Sequence, residues 1–281
     1  RSQCVILPVA ATLELDAPAK RLDKDSGGLI SAALRSGDFL GKTGDTLLLH
    51  GAGEAARVLL VGTGDGGSKA DRDALRKLIS SLASALLGSK ASDALFLVPD
   101  LPVDGADLDW FGASLARELV YGSYRYTRTR SKPKAAPSLR RLTVAAGSAA
   151  ASRKLRAGMD RGAHIGAGTN FARDLANRPA NHCTPEDLAK EARRLARGNT
   201  QVSCKVLNDA MVDDAIANGA KTIAEVYAYH GISKQEMRDG CCQTCWPYMA
   251  EKKLGYTPKR KGGAKQRRKG RSGVLTIKPP E

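Results

Sequence analysis

Two short apolar runs joined by a glycine turn constrain the fold most. Thr46-Leu47-Leu48-Leu49-His50 and Arg57-Val58-Leu59-Leu60-Val61-Gly62 are five or six residues each, rich in Leu and Val, and Gly51-Ala52-Gly53-Glu54 lies between them. Runs this short, bounded by Gly, read as neighbouring strands of one sheet. A run at residues 5–9, a short buried run at 95–98 and a last one at 142–145 extend the same pattern. Between them lie amphipathic stretches. Residues 28–36 read as a helix ended by Gly37, and in residues 70–87 the side chains Leu75, Leu78, Ile79, Leu82 and Leu86 fall on one helical face. A further helix is predicted at 110–121. Strands alternating with helices over the first ~150 residues define an α/β domain with a mixed sheet flanked by helices.

The chain enters its first apolar run within four residues of Arg1 and has no initiator Met, which reads as a strand whose preceding segment is missing. No apolar stretch reaches the ~18–20 residues that span a bilayer, so a cytoplasmic protein without a membrane partner is expected. Cys4, Cys183 and Cys204 are isolated, as reduced thiols in such a compartment would be.

Residues 149–175 are predicted to form a long helix, weakened on propensity by Gly158, Gly162, Gly166 and Gly168. Ahead of it, residues 124–134 form a connector carrying Arg125, Arg128, Arg130, Lys132 and Lys134 with Tyr124 and Tyr126 interleaved, and a solvated loop is the plain reading. Thr184-Pro185-Glu186-Asp187 supplies an N-cap, a Pro in the first turn and early acids, so a helix runs from there to about Arg197. Residues 202–207 read as a strand and 211–218 as a short helix.

Several of these segments together resemble the leucyl aminopeptidase family of bacterial cytosol aminopeptidases. Gly37-Asp38-Phe39-Leu40-Gly41-Lys42, the run at 46–49 and Leu59-Leu60-Val61-Gly62-Thr63-Gly64 follow that family's order of strand and glycine turn. Tyr124-Arg125-Tyr126 resembles its aromatic connector. Asn170-Phe171-Ala172-Arg173-Asp174-Leu175-Ala176-Asn177-Arg178-Pro179-Ala180-Asn181, followed by Thr184-Pro185-Glu186-Asp187-Leu188-Ala189, resembles its interdomain signature and is the most specific match. The resemblance covers about residues 1–208. It implies an N-terminal α/β domain at 1–150, then a linker helix and the start of a truncated peptidase domain at 151–208; beyond it the residues read as a small helical Cys-containing segment at 209–250 and a disordered basic tail at 251–281, too charged to pack.

The family releases N-terminal amino acids from peptides, as a hexamer, with two divalent metals (manganese or zinc) in its C-terminal half. Its metal ligands are a Lys, several Asp and a Glu, and no counterpart of them is found here. After Asn208 the chain reads as an unrelated segment. No catalytic residue is therefore carried over, and the chain is expected to be catalytically incompetent, because two-metal hydrolysis needs carboxylates held so that the ions clamp both the water and the developing oxyanion.

Two further groups have ligand character. Cys242 and Cys245 form a C-x-x-C, with Cys241 beside them and Cys204 upstream, and residues 204–250 weakly resemble a small ferredoxin-like domain that holds a two-iron cluster. Val202 stands where that pattern has its first Cys. Zinc or an iron–sulfur cluster on Cys204, Cys241, Cys242 and Cys245 is one reading, and unliganded thiols the other. The formal charge of +16 is concentrated at the end of the chain, where Lys259, Arg260, Lys261, Lys265, Arg267, Arg268, Lys269 and Arg271 form a run without an acid. Such a run suits salt-sensitive, non-specific nucleic-acid binding, and equally a solvated tail. Gly62-Thr63-Gly64-Asp65-Gly66-Gly67 lies between a strand and a helix, where backbone amides either cradle a phosphate or simply turn the chain.

Overall fold

The computed structural model describes residues 2–51, 53, 55–65, 72–98, 107–206 and 208–232. The chain divides into two compact units, one ending at Pro179 and one beginning at Ala180. The first unit holds β1 (Cys4–Ala10), α1 (Ala17–Asp25), α2 (Leu29–Ser36), β2 (Thr46–His50), β3 (Arg57–Gly64), α3 (Arg72–Gly88), β4 (Asp93–Leu97), α4 (Leu108–Ser123), β5 (Arg141–Ala145) and α5 (Ala149–Ala176).

The strands form one sheet in the order β2-β3-β1-β4-β5. β2 runs antiparallel to β3, with Leu48 opposite Leu59, and the pairs β3·β1, β1·β4 and β4·β5 are parallel. The expected mixed sheet is thus present. The glycine turn between β2 and β3 makes the antiparallel hairpin, and the helical crossovers make the parallel pairs.

The central strands are apolar on both faces because both are covered. Alternate side chains of β1 and β3 go to opposite sides, as a pleat requires. Cys4, Ile6, Leu59 and Val61 join Phe96 and the helical residues Leu78, Ile79, Leu82, Leu86, Phe111, Leu115 and Leu155 in one core. Leu7, Val9, Val58 and Leu60 join Ala19, Ile30, Leu34 and Phe39 in the other. The face of α3 predicted from spacing is the buried one, with Leu75, Leu78, Ile79, Leu82 and Leu86 all inside.

Local chemistry sets the helix ends. Asp16 caps α1 by accepting from the Ala19 amide at 2.8 Å. α2 stops at Gly37, whose φ of 81° suits a residue without a Cβ. Asp23 accepts from the Ser31 amide at 2.9 Å and from its hydroxyl, tying the end of α1 to the first turn of α2.

The second unit contains a 3₁₀ turn (Ala180–His182), α6 (Pro185–Arg197), α7 (Asp209–Ala217) and α8 (Ile223–Tyr229). α6 opens with a capping box: Asp187 N–H donates to Thr184 Oγ1 (3.3 Å) and Thr184 N–H donates to Asp187 Oδ2 (3.1 Å). Asn208 caps α7 through the Met211 amide at 3.0 Å. Val212, Ala215, Ala220 and Val226 close a small core between α7 and α8. The predicted strand over 202–207 is not formed: residues 202–206 have no regular structure. The alternation of Val202, Cys204 and Val206 satisfies the strand period, but among the described residues this unit has no second strand to complete a ladder. Among the described residues, no helix is long and apolar enough to cross a membrane.

Candidate functional site

The densest polar constellation lies where α5 ends against α4. It begins with close helix packing. Gly158, Gly162 and Gly166 recur every four residues and so share one face of α5. A Cβ at Gly158 would lie 2.0 Å from the Asp109 carbonyl oxygen, one at Gly162 2.0 Å from the Ala113 carbonyl oxygen, and one at Gly166 2.8 Å from Val120 Cβ. From the other side, a Cβ at Gly112 would lie 2.5 Å from the Leu155 carbonyl oxygen. The glycines that lower helix propensity are the contact surface that lets the two backbones meet. Arg161 adds a two-pronged bond across the pair, Nη1 to Asp109 Oδ1 at 3.0 Å and Nη2 to Oδ2 at 2.5 Å.

This packing brings the last turns of α5 beside the end of α4 and the basic connector. Asn170 Nδ2 donates to the Val120 carbonyl at 2.7 Å. Arg173 Nη1 donates to the Tyr121 carbonyl at 3.0 Å and to Asn170 Oδ1 at 3.1 Å. Its guanidinium sits 4.2 Å from the Tyr121 ring centroid and 4.3 Å from that of Tyr124, a cation shared by two aromatic rings. Asn177 Nδ2 donates to the Tyr124 hydroxyl at 3.2 Å. Asp174 Oδ2 accepts from Arg178 Nη2 at 2.8 Å and forms an ion pair with Arg128, whose Nε lies 3.1 Å away.

Asn170, Arg173, Asp174, Asn177 and Arg178 of the signature segment thus make one latch. It joins α5 to α4 and to the connector. Every contact in it is a donor satisfied by a carbonyl, a carboxylate, an amide oxygen, a hydroxyl or a ring face. The arrangement positions backbone; it holds no nucleophile beside a base and no set of ligands converging on a point.

Gly62 and Gly64, read from the sequence as part of a glycine turn, lie within β3 and have a comparable structural role. Gly62 N–H donates to the Asp45 carbonyl (2.8 Å) and Gly64 N–H to the Gly41 carbonyl (2.9 Å). A Cβ at Gly62 would lie 2.0 Å from the Lys42 carbonyl oxygen. These two amides are committed to the loop 41–45 and are not offered to a phosphate. Gly66 and Gly67 lie outside the described residues.

Of the sequence-predicted ligands, Cys204 is a half-buried free thiol in the irregular segment 202–206. Cys241, Cys242 and Cys245 lie outside the described residues. So do Lys259, Arg260, Lys261, Lys265, Arg267, Arg268, Lys269 and Arg271, the predicted nucleic-acid-binding run. Among the described residues, no group of three or more His, Cys, Asp or Glu is placed to hold a metal ion. The donor set of a pair of divalent metals is therefore not found in the described residues. Cys4 is also no candidate nucleophile, since burial pushes its thiol up to about 11.

Fold and latch together define an N-terminal-type α/β module whose chain exit is fixed by a helix and an aromatic–arginine clasp. The description "cytosol aminopeptidase family, N-terminal domain" matches residues 6–133. The cytosol aminopeptidase of Pseudomonas aeruginosa is 33% identical over 247 residues, covering 84% of this chain and 50% of that protein. A tomato leucine aminopeptidase mutant superposes with a TM-score of 0.58 at 25% identity, covering 77% of this chain and 44% of that one. The bottromycin maturation enzyme BotP, solved in complex with Mn, shares the fold at a TM-score of 0.50 and 23% identity, over 70% of this chain and 37% of that one.

Over residues 6–133 the chain carries the N-terminal domain of the cytosol aminopeptidase family. It spans about half the length of the curated relatives it matches. A likeness that covers 84% of the chain is longer than residues 1–208, so it continues past Asn208 into a segment whose sequence looked unrelated.

Proposed function

We propose that this chain supplies the N-terminal positioning domain of a cytosol aminopeptidase, and that peptide-bond hydrolysis resides in the half of its relatives' length that it does not span. The observation that carries this reading is the use of the interdomain signature. Asn170, Arg173, Asp174 and Asn177 hold α5 to α4 and to the connector, with Arg178 paired to Asp174 beside them, which is what a module that orients a following domain requires. Residues 1–150 are then the α/β domain, 151–208 the linker and the start of the peptidase part, and 209–281 the remainder.

On this reading the peptide substrates, the two divalent metals and the hexameric assembly belong to the complete protein, in the cytoplasm. The described residues contribute stiffness and direction. The chemistry needs metal-held carboxylates elsewhere. Leucine p-nitroanilide turnover by the purified chain, with manganese and then zinc supplied, tests this directly. No turnover above buffer is expected; metal-dependent turnover that grows with enzyme concentration overturns it.

A further inference from the structure

We propose that residues 124–134 are a strap with two states, pinned onto the last turns of α5 and released as ionic strength rises. The strap carries Arg125, Arg128, Arg130, Lys132 and Lys134 and no acid. Such a run repels itself and gains nothing from lying against a helix unless something neutralises it. Two contacts do so. Arg128 reaches Asp174 (3.1 Å), and Tyr124 lays its ring on Arg173 (4.3 Å) while its hydroxyl accepts from Asn177 (3.2 Å). Within the strap, Thr129 Oγ1 donates to the Tyr126 hydroxyl at 3.0 Å.

The two ion pairs on Asp174 differ in strength, which makes the strap the part that moves. Arg178 is 8% exposed and Asp174 24%, so their pair is shielded from salt. Arg128 is 60% exposed, so its pair is screened once the Debye length falls well below ~10 Å. Raising the salt detaches Arg128 first and leaves Arg178 on Asp174. The exit of α5 stays fixed while the strap, now bearing five uncompensated cations, comes free at its Arg128 end. The stack of Tyr124 on Arg173 acts as the hinge, since a cation between two rings is less sensitive to salt than an exposed ion pair.

Trypsin reads the two states within one molecule. Arg128 cannot enter the protease while its guanidinium is held by Asp174, whereas Lys134, six residues beyond that pairing, serves as the internal reference. The ratio of cleavage after Arg128 to cleavage after Lys134, measured by mass spectrometry on the full chain, is expected to rise about two- to fivefold between low and high salt. Asp174→Asn should give the high-salt ratio already at low salt. Tyr124→Ala, which leaves the Arg178–Asp174 pair in place, should raise the ratio at all salt concentrations. It provides the decision if Asp174→Asn melts the domain, as circular dichroism would show. A ratio that is unchanged by salt and by whichever variant stays folded overturns the proposal.

Discussion

Replacing Gly162 by Ala should destabilise the first unit, although alanine is the better helix former. On propensity alone the change favours the folded state by ~1 kcal/mol in a helix interior. The structure reverses that sign. The new Cβ would lie 2.0 Å from the Ala113 carbonyl oxygen and 2.7 Å from its carbonyl carbon and Cα, all backbone atoms that no side-chain rotation can move. Relieving the clash means driving α5 off α4 by about 1 Å or more, which strains Gly158 and Gly166 at the same interface and weakens the Arg161–Asp109 pair. Overpacking of this kind costs ~1–3 kcal/mol, enough to exceed the propensity gain. Gly168 is the control on the same helix. Nothing lies within 4 Å of a Cβ there, so Gly168→Ala should stabilise by ~0.5–1 kcal/mol. Urea unfolding followed by circular dichroism gives both values. The rate at which Cys4 becomes reactive reports the first unit separately, because Cys4 lies in its core. Equal or greater stability for Gly162→Ala would refute the close-packing argument.

Other consequences can be checked as readily. Thr184→Ala removes the N-cap of α6 and should reduce that helix's stability by ~1 kcal/mol, seen as a loss of ellipticity at 222 nm. The same cap gives α6 an acid limit. Hydrogen bonds from the Thr184 amide, then its hydroxyl, then Lys190 hold the Asp187 carboxyl below its ordinary value of 3.8. Glu186 in the same turn is likewise held below its ordinary value of 4.5. A depressed carboxyl stabilises the folded form above the unfolded value and loses that contribution as pH falls through the folded one, so α6 should fray only as pH falls below the ordinary carboxylate range. A pH titration of the 222 nm signal in which α6 already frays between about pH 7 and 5 would contradict the cap. In the native protein a thiol reagent at pH 8 should label Cys183 and Cys204 well before Cys4, whose thiol is buried and pushed up to about 11; prompt labelling of Cys4 would show that the core is not closed.

The parts of the fold legible in the sequence are those with local causes. The strand runs of the first ~150 residues, the buried face of α3, the stop at Gly37 and the N-cap at Thr184 each follow from a few adjacent residues, and each is found in the structure. α1 went unread because Ala17–Asp25 offers only Ala19 and Leu22 to a core among five charged residues. The segment 202–206 was misread because alternation does not reveal whether a partner strand exists. For the latch, the residues of α5 were visible as a family signature, but their partners Val120, Tyr121, Tyr124 and Arg128 lie about fifty positions earlier in the chain. Only the helix pairing brings them together. The four-residue spacing of Gly158, Gly162 and Gly166 was the available clue to that pairing, since glycines that weaken a helix at one repeating position point to a neighbour packed against it.

The central claim, that this chain is a positioning module and that the metal-holding half of its relatives lies beyond what it spans, is tested most directly by equilibrium dialysis of the purified chain against Mn²⁺. Manganese prefers carboxylate oxygen and is a poor partner for thiolates, so the cysteines will not mimic a carboxylate site. The account predicts no stoichiometric, saturable Mn²⁺. Saturable binding of one or two ions per chain would contradict it and would place a carboxylate metal site within this sequence.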